Sequence, residues 1–210
     1  MTKAVIFDLD GTLLYTPEDL TDSVNYVLSK FDYPNKSIEE IKNFVGDGVV
    51  KLMERSLPEN CSNFDECLND FKKHYFLNMC RKTKPYDGIV ETLLELKKRG
   101  YKTAVVSNKF NSAVERLCKK YFPNLIDIAA GTRDNIPPKP APDLVNEVIS
   151  KLNPQKCVFV GDSEVDIQTA KNAGIDCVSV AWGYKDADFL HAHGASIILK
   201  TPKELLEKLQ

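Results

Sequence analysis

The sequence predicts an α/β fold, a parallel sheet with helices on both faces, interrupted by a run of helices. Three observations carry this. From about residue 85 onward, short apolar runs rich in β-branched residues alternate with helical patterns, and that alternation means crossover connections and a parallel sheet. A run of the same kind, Ala4-Val5-Ile6-Phe7, stands alone near the N-terminus. Between the two, residues from about Glu18 to Cys80 read as four helices with no strand. The first strand therefore joins the later sheet. Residues 15–84 are expected as a helical insertion in a domain made of residues 1–14 and 85–210.

The inserted helices follow from apolar spacing and end signals. Pro17-Glu18-Asp19 opens the first, with Leu20, Val24, Val27, Leu28 and Phe31 at helical spacing and Pro34 after it. Proline and acids suit a first turn. Ser37 with Glu40 is a capping-box signature for the second, which carries Ile38, Ile41 and Val45. Gly46-Asp47-Gly48 separates it from a third with Val49, Leu52, Met53 and Leu57. A fourth follows Ser62, with Phe64, Cys67, Leu68, Phe71 and Tyr75 on one face.

In the alternating part, strands are expected at 103–107, 126–130, 157–160, 177–180 and 196–199. The helices between them carry Ile89-Leu93-Leu94-Leu96, Val114-Leu117-Cys118, Leu144-Val145-Val148-Ile149-Leu152 and Ile167 to Ala173. A last helix starts at Pro202 with Leu205, Leu206 and Leu209. The whole is a Rossmann-like core with one insertion. No repeat or low-complexity tract interrupts it.

Bulk properties narrow the function classes. Hydrophobic residues make up 43% and charged residues 28%, an ordinary globular balance. The net charge of -2 and pI near 6.0 provide no field for nucleic acid or an acidic membrane. The short clusters Lys72-Lys73-His74 and Lys97-Lys98-Arg99 read as solvated helix faces. No apolar run approaches the roughly 18 residues of a membrane span. The chain starts directly with a core strand, so a cytoplasmic protein is expected. The six cysteines form no C-x-x-C pair and read as free thiols in a reducing compartment. A monomer or homodimer is expected.

Chemistry gathers where the strands end. In open α/β sheets, ligands bind outside the carboxyl ends of the strands. The first strand runs into Asp8-Leu9-Asp10-Gly11-Thr12. Side chains two apart on an extended segment point the same way, so Asp8 and Asp10 sit together. Two anions that close raise each other's pKa unless a cation neutralises them, and oxygen ligands favour magnesium. Asp-x-Asp-Gly also serves plain strand-to-turn junctions. The other strand ends add Ser107-Asn108-Lys109, Gly131-Thr132-Arg133 leading to Lys139, and Gly161-Asp162 with Asp166. Phosphoryl transfer suits this set. A carboxylate can attack phosphorus once Mg2+ held by Asp8 and Asp162 screens the repulsion. Asp10 can move protons, while Ser107 and Lys139 bind the non-bridging oxygens.

Asp8-Leu9-Asp10-Gly11-Thr12, Ser107-Asn108, Lys139 and Gly161-Asp162-x-x-x-Asp166 resemble, in order and spacing, the motifs of the haloacid dehalogenase-like superfamily. The resemblance covers essentially the whole chain and makes the insertion a four-helix cap. It implies that Asp8 is the nucleophile and Asp10 the acid/base. The metal ligands implied are Asp8, the backbone carbonyl of Asp10, and Asp162, with Asp166 in the outer shell. Ser107, the Asn108 backbone and Lys139 would hold the phosphoryl group, and Thr12 the turn.

Asp10 sets the chain apart from dehalogenases and phosphonatases of the superfamily, which lack this residue. The segment Val45 to Leu52, with Arg55 and Leu57, is similar to the cap of phosphoglycolate phosphatases. The expectation is a magnesium-dependent phosphatase acting on a small-molecule phosphate ester, with 2-phosphoglycolate first. Lys51 and Arg55, one turn apart, are candidates for meeting a substrate carboxylate. A phosphomutase similar to β-phosphoglucomutase, a pyrophosphatase or a nucleotidase keeps the same motifs. A phosphorylated receiver-like switch or an inactive binding descendant are the non-enzyme alternatives. His191-x-His193 reads as a surface feature of a helix or turn. Trp182-Gly183-Tyr184 either flanks the site or packs beside it.

Overall fold

The computed structural model describes residues 3–209. It divides into two compact units, Met1–Tyr15 with Pro85–Gln210, and Thr16–Lys84.

The first unit is built on a six-stranded sheet. Its strands are β1 (Lys3–Phe7), β4 (Lys102–Phe110), β5 (Ile128–Thr132), β6 (Lys156–Gly161), β7 (Asp176–Val180) and β8 (Ile198–Leu199). Two further short strands, β2 (Leu14–Tyr15) and β3 (Lys84–Pro85), pair with each other where the chain leaves and rejoins this unit. The sheet order is β5-β4-β1-β6-β7-β8, and every neighbouring pair is parallel. After β1 the chain builds β4 and β5 on one side, then crosses back to place β6 on the other. That reversal makes the carboxyl ends of β1 and β6 the crevice where such sheets bind ligands.

The sheet is covered by α5 (Ile89–Lys98), α6 (Asn111–Tyr121), α7 (Asp143–Leu152), α8 (Glu164–Ala173), α9 (Ala187–Ala192) and α10 (Pro202–Lys208). On one face Ile6, Ala104, Val106, Ala130 and Phe159 pack against Leu144, Val145 and Val148 of α7 and Ala170 of α8. Val5, Phe7, Val105, Val158 and Val160, one residue out of phase, are buried as well. A strand covered on both faces needs apolar residues at every position, which is why Ala4 to Phe7 do not alternate. On α5, Ile89, Thr92, Leu93 and Leu96 are buried, whereas Leu94 is 44% exposed. Leu94 belongs to the apolar pattern of this helix but not to its buried stripe. One step beyond Leu93 rotates it about 100° out of the buried stripe.

The second unit holds α1 (Pro17–Lys30), α2 (Ile38–Phe44), α3 (Val49–Ser56) and α4 (Phe64–Asn78). Leu20, Val24, Val27, Leu28, Ile41, Met53, Cys67, Phe71 and Tyr75 are buried. The Ser37–Glu40 capping box forms, with the Glu40 backbone N–H donating to Ser37 Oγ at 3.2 Å and the Ser37 N–H to Glu40 at 2.8 Å. α1 stops at Lys30, earlier than Pro34, because Asp32 takes a left-handed conformation (φ 55°). The buried Asp19 carboxylate accepts hydrogen bonds from the backbone N–H groups of Lys82 (3.0 Å) and Thr83 (2.9 Å). That ties the start of α1 to the segment leaving α4.

The six cysteines form no disulfide, and no described helix is long and apolar enough to cross a membrane. Phe159 of β6 is fully buried in the core cluster that also holds Ile6 of β1 and Val145 of α7. Phe159→Ala is expected to cost about 3–5 kcal/mol, read as a lower urea midpoint with an unchanged slope.

Candidate active site

Two backbone devices place the carboxylates. Asp8 follows directly on β1, and its N–H donates to the Val160 carbonyl at 2.9 Å, extending the β1–β6 ladder by one step. The chain then closes a tight loop in which the Leu9 carbonyl accepts from the N–H groups of Leu13 (3.0 Å) and Leu14 (2.9 Å). Gly11 sits in that loop at φ +86°, and a Cβ there would lie 2.2 Å from Asp162 Oδ2. On the neighbouring strand, β6 ends at Gly161, so Asp162 emerges beside Asp8. Asp166 closes a capping box at the start of α8, accepting from Ser163 Oγ at 2.7 Å and from the Ser163 N–H at 3.1 Å.

Carboxylate oxygens of Asp8, Asp162 and Asp166 lie within 4.8 Å of one another, and all three residues are buried. Lys139 reaches between two of them. Its Nζ donates to Asp8 Oδ1 and to Asp166 Oδ1, each at 2.7 Å. Asn108 holds the lysine in place from β4. Its side chain donates to the Lys139 carbonyl at 2.9 Å and accepts from the Lys139 N–H at 2.7 Å. So the side chain of Asn108 has its own task, besides the backbone role expected for it. Ser107 is buried in the same strand segment.

Thr12 does more than support its own turn. Its hydroxyl donates to Asp162 Oδ1 at 3.0 Å. The second Asp162 oxygen accepts from the Tyr184 N–H at 2.8 Å. Trp182 Nε1 donates to the Thr12 carbonyl at 3.0 Å. The loop Trp182-Gly183-Tyr184 thus flanks the site. Gly183 permits this, since a Cβ there would lie 2.3 Å from the Asp162 side chain. Sequence reasoning left that loop undecided. The available signal was its position, directly after β7 at the same sheet edge.

Asp10 stands outside the three-carboxylate cluster. Its Oδ2 lies 3.0 Å from Lys109 Nζ, and both side chains are nearly buried. Lys109 was noted only as the end of a strand. Its place two residues after Ser107, on the same face of an extended segment, was the signal that could have found it.

Lys51 and Arg55 lie on α3 in the second unit. Lys51 pairs with Glu54 at 2.6 Å. Arg55 pairs with Asp47 and donates to the Phe44 carbonyl at 2.9 Å. His191 and His193 are exposed, with His193 stacked on Phe189 at 4.0 Å between ring centroids. They join no described cluster of metal-ligating groups.

Burial pushes the Asp8 carboxyl up to about 7, with Lys139 pulling it down and Asp166 pushing it further up. Burial also raises Asp162 well above its ordinary value, helped by Asp166 and Asp8. Burial alone would lower Lys139, but Asp166 and Asp8 hold it above its ordinary value. With all four carboxyl groups ionised, they would outnumber the two ammonium groups by two, a surplus that one divalent cation would balance. The donors are oxygens, and so suit a hard cation.

The comparisons with known proteins agree with this geometry. Residues 5–180 match the family model of haloacid dehalogenase-like hydrolases. The chain belongs to the haloacid dehalogenase-like hydrolases. The hydrolase is 32% identical over 212 residues to the phosphoglycolate phosphatase of Aquifex aeolicus, covering 98% of this chain and 95% of that one. With the phosphoglycolate phosphatase of Colwellia psychrerythraea it shares 31% identity, covering 99% and 97%. A solved structure of a candidate phosphoglycolate phosphatase from Lactobacillus delbrueckii subsp. bulgaricus superposes with a TM-score of 0.92. That structure is 37% identical, with 100% of this chain and 99% of that one covered. The hydrolase therefore belongs among the phosphoglycolate phosphatase-like members of its family.

A carboxyl whose pKa is raised in the folded chain supports stability below its unfolded value and loses that support as pH rises through its folded value. For Asp8 the window runs from 3.8 to about 7. The metal-free hydrolase should therefore melt at a lower temperature at about pH 8 than at about pH 5. A divalent cation should raise the melting temperature, and more so at the higher pH, where its ligands are ionised. Thermal melts with and without MgCl2 at the two pH values measure both effects.

Proposed function

We propose that this hydrolase is a Mg2+-dependent phosphatase that cleaves a small-molecule phosphate monoester, 2-phosphoglycolate, through an aspartyl-phosphate intermediate. The observation that carries the reading is the meeting of Asp8, Asp162, Asp166 and Lys139 at the carboxyl ends of β1 and β6. The names of relatives about 30% identical over nearly the whole chain support phosphoglycolate as the substrate.

In this reading Asp8, Asp162 and the Asp10 carbonyl hold the cation, with Asp166 behind them. Bound there, the cation would screen the repulsion between the Asp8 carboxylate and the phosphoryl oxygens. Asp8 attacks phosphorus and becomes the aspartyl phosphate. Asp10 gives its proton to the departing oxygen, then takes one from the water that attacks the intermediate. Lys139 and the Ser107 hydroxyl bind the non-bridging oxygens, and the Asn108 clamp on the Lys139 backbone keeps the ammonium at that distance. Thr12 and the Tyr184 N–H fix the orientation of Asp162.

The unit Thr16–Lys84 acts in this reading as the cap that excludes water and selects the leaving group. Lys51 and Arg55 are its candidates for a substrate carboxylate. Both are exposed and paired with acids of their own unit. Exposed pairs are worth about 0–1 kcal/mol, so a substrate carboxylate can exchange for them.

Asp8→Asn is expected to lower the hydrolysis of phosphoglycolate by about 10³-fold or more, with the fold retained by circular dichroism. Near wild-type turnover would remove Asp8 from the nucleophile role. A panel of phosphoglycolate, hexose phosphates, nucleotides and pyrophosphate, with Mg2+ and with chelator, ranks the substrates. Lys51→Ala and Arg55→Ala should each raise KM for phosphoglycolate while leaving a neutral phosphate ester unchanged. Equal losses on both esters would exclude them from substrate choice.

A further inference from the structure

Lys109 is a second buried lysine at the same sheet edge, and neither the metal cluster nor the phosphoryl-binding set uses it. Its Nζ lies 3.0 Å from Asp10 Oδ2, with side-chain exposures of 6% and 10%. The two lysines divide the acids between them: Lys139 holds Asp8 and Asp166, and Lys109 holds Asp10. Burying an ammonium group is costly, and the pairing with Asp10 offsets that cost.

β4 and β5 lose their regular register between Val106 and Phe110, so the segment carrying Ser107 and Lys109 leaves the ladder at the site. Such irregularities re-aim side chains beside active sites. The facing residue is Gly131, where a Cβ would lie 2.4 Å from the Lys109 carbonyl and 2.7 Å from Asn111 Cα. Asn111 Oδ1 accepts from the Gly131 N–H at 2.9 Å and locks that close approach. The Lys109 N–H donates to Ser107 Oγ at 3.3 Å. Strand, bulge and glycine together deliver one ammonium group to one carboxylate.

We propose that Lys109 is a positioning residue for Asp10. It holds the carboxyl apart from the metal-binding acids and aimed at the leaving-group oxygen, and it accompanies the carboxylate that remains when the proton has gone. The proposal rests on the acid/base reading of Asp10. In the step concerned, an Asp8 oxygen forms a bond to phosphorus while the P–O bond to the leaving group breaks. The electron pair of that bond goes to the leaving oxygen, and the Asp10 proton goes to the same atom. The anion left on Asp10 is then next to the Lys109 ammonium, in a dry site where such complementarity is strong.

A positioned acid matters only for leaving groups that need a proton. A nitrophenolate departs as a stable anion, and an alkoxide does not. The test is single-turnover release of alcohol from an alkyl phosphate and of nitrophenol from p-nitrophenyl phosphate, which reads the phosphorylation of Asp8 alone. Lys109→Met is expected to slow the alkyl ester by about 10²-fold and the aryl ester by less than about threefold, with KM for both nearly unchanged. Asp10→Asn should show the same split. A split in Asp10→Asn with equal losses on both esters in Lys109→Met overturns the proposal alone. No split in Asp10→Asn overturns the acid/base reading and the proposal with it. Lys109→Gln is the second variant. Failure of both Lys109 variants to fold, by circular dichroism and by loss of the Mg2+-dependent melting shift, makes Lys109 a structural support and overturns the proposal too.

Discussion

Mutual repulsion among buried carboxylates is the constraint on which this site depends. Asp8, Asp162 and Asp166 bring oxygens within 4.8 Å of one another with little water to screen them. Left alone, such a group would take up protons or unfold its surroundings. Around it stand a lysine shared by two acids, a threonine hydroxyl and a backbone N–H on Asp162, and a serine on Asp166. These partners neutralise only part of the charge. The remainder is a standing attraction for a divalent cation, and the same electrostatic deficit links metal binding to stability and to pH.

The scaffold is arranged to keep those partners at fixed distances. The acids come from the ends of adjacent strands β1 and β6, whose register is set by a ladder running from Lys3–Lys156 to Phe7–Val160. Lys139 comes from a loop, which by itself would leave a long side chain free. Asn108 removes that freedom by binding the backbone of Lys139 on both its carbonyl and its N–H. Asp10 is provided for separately, through Lys109 on the bulged end of β4. The two lysines thus hold separate acids, Lys139 the pair Asp8 and Asp166, Lys109 the acid Asp10.

Much of this was legible in the residues. Ala4 to Phe7 read as a strand buried on both faces and are one, whereas Asp8 and Asp10, expected side by side, take different partners: Asp8 joins Asp162 and Asp166, and Asp10 pairs with Lys109. The capping box expected at Ser37 has side chain and backbone in register three residues apart, which is local chemistry and forms as written. Boundaries were less legible. The strand expected at 126–130 runs over Ile128–Thr132 instead. Asp127 is taken up before the ladder begins, with its carboxylate accepting from Lys97 at 2.7 Å and from the Thr103 N–H at 2.8 Å. Those partners are 30 and 24 residues away in the chain and leave no mark in the local pattern.

The sequence by itself determined the α/β class, the helical insertion, and the acids, hydroxyl and lysine that gather at one sheet edge. Each of these rests on periodicity or on spacing within a few residues, and such relations survive without knowledge of the fold. Only the tertiary structure decided who partners whom. Thr12 binds Asp162 across 150 residues, Lys139 binds Asp8 across 131, and Lys109 binds Asp10. Gly183 mattered only once the loop after β7 was seen to close on Asp162. Charge pairing and close approach act through space, and distances through space are set by the packed sheet rather than by neighbours in the chain.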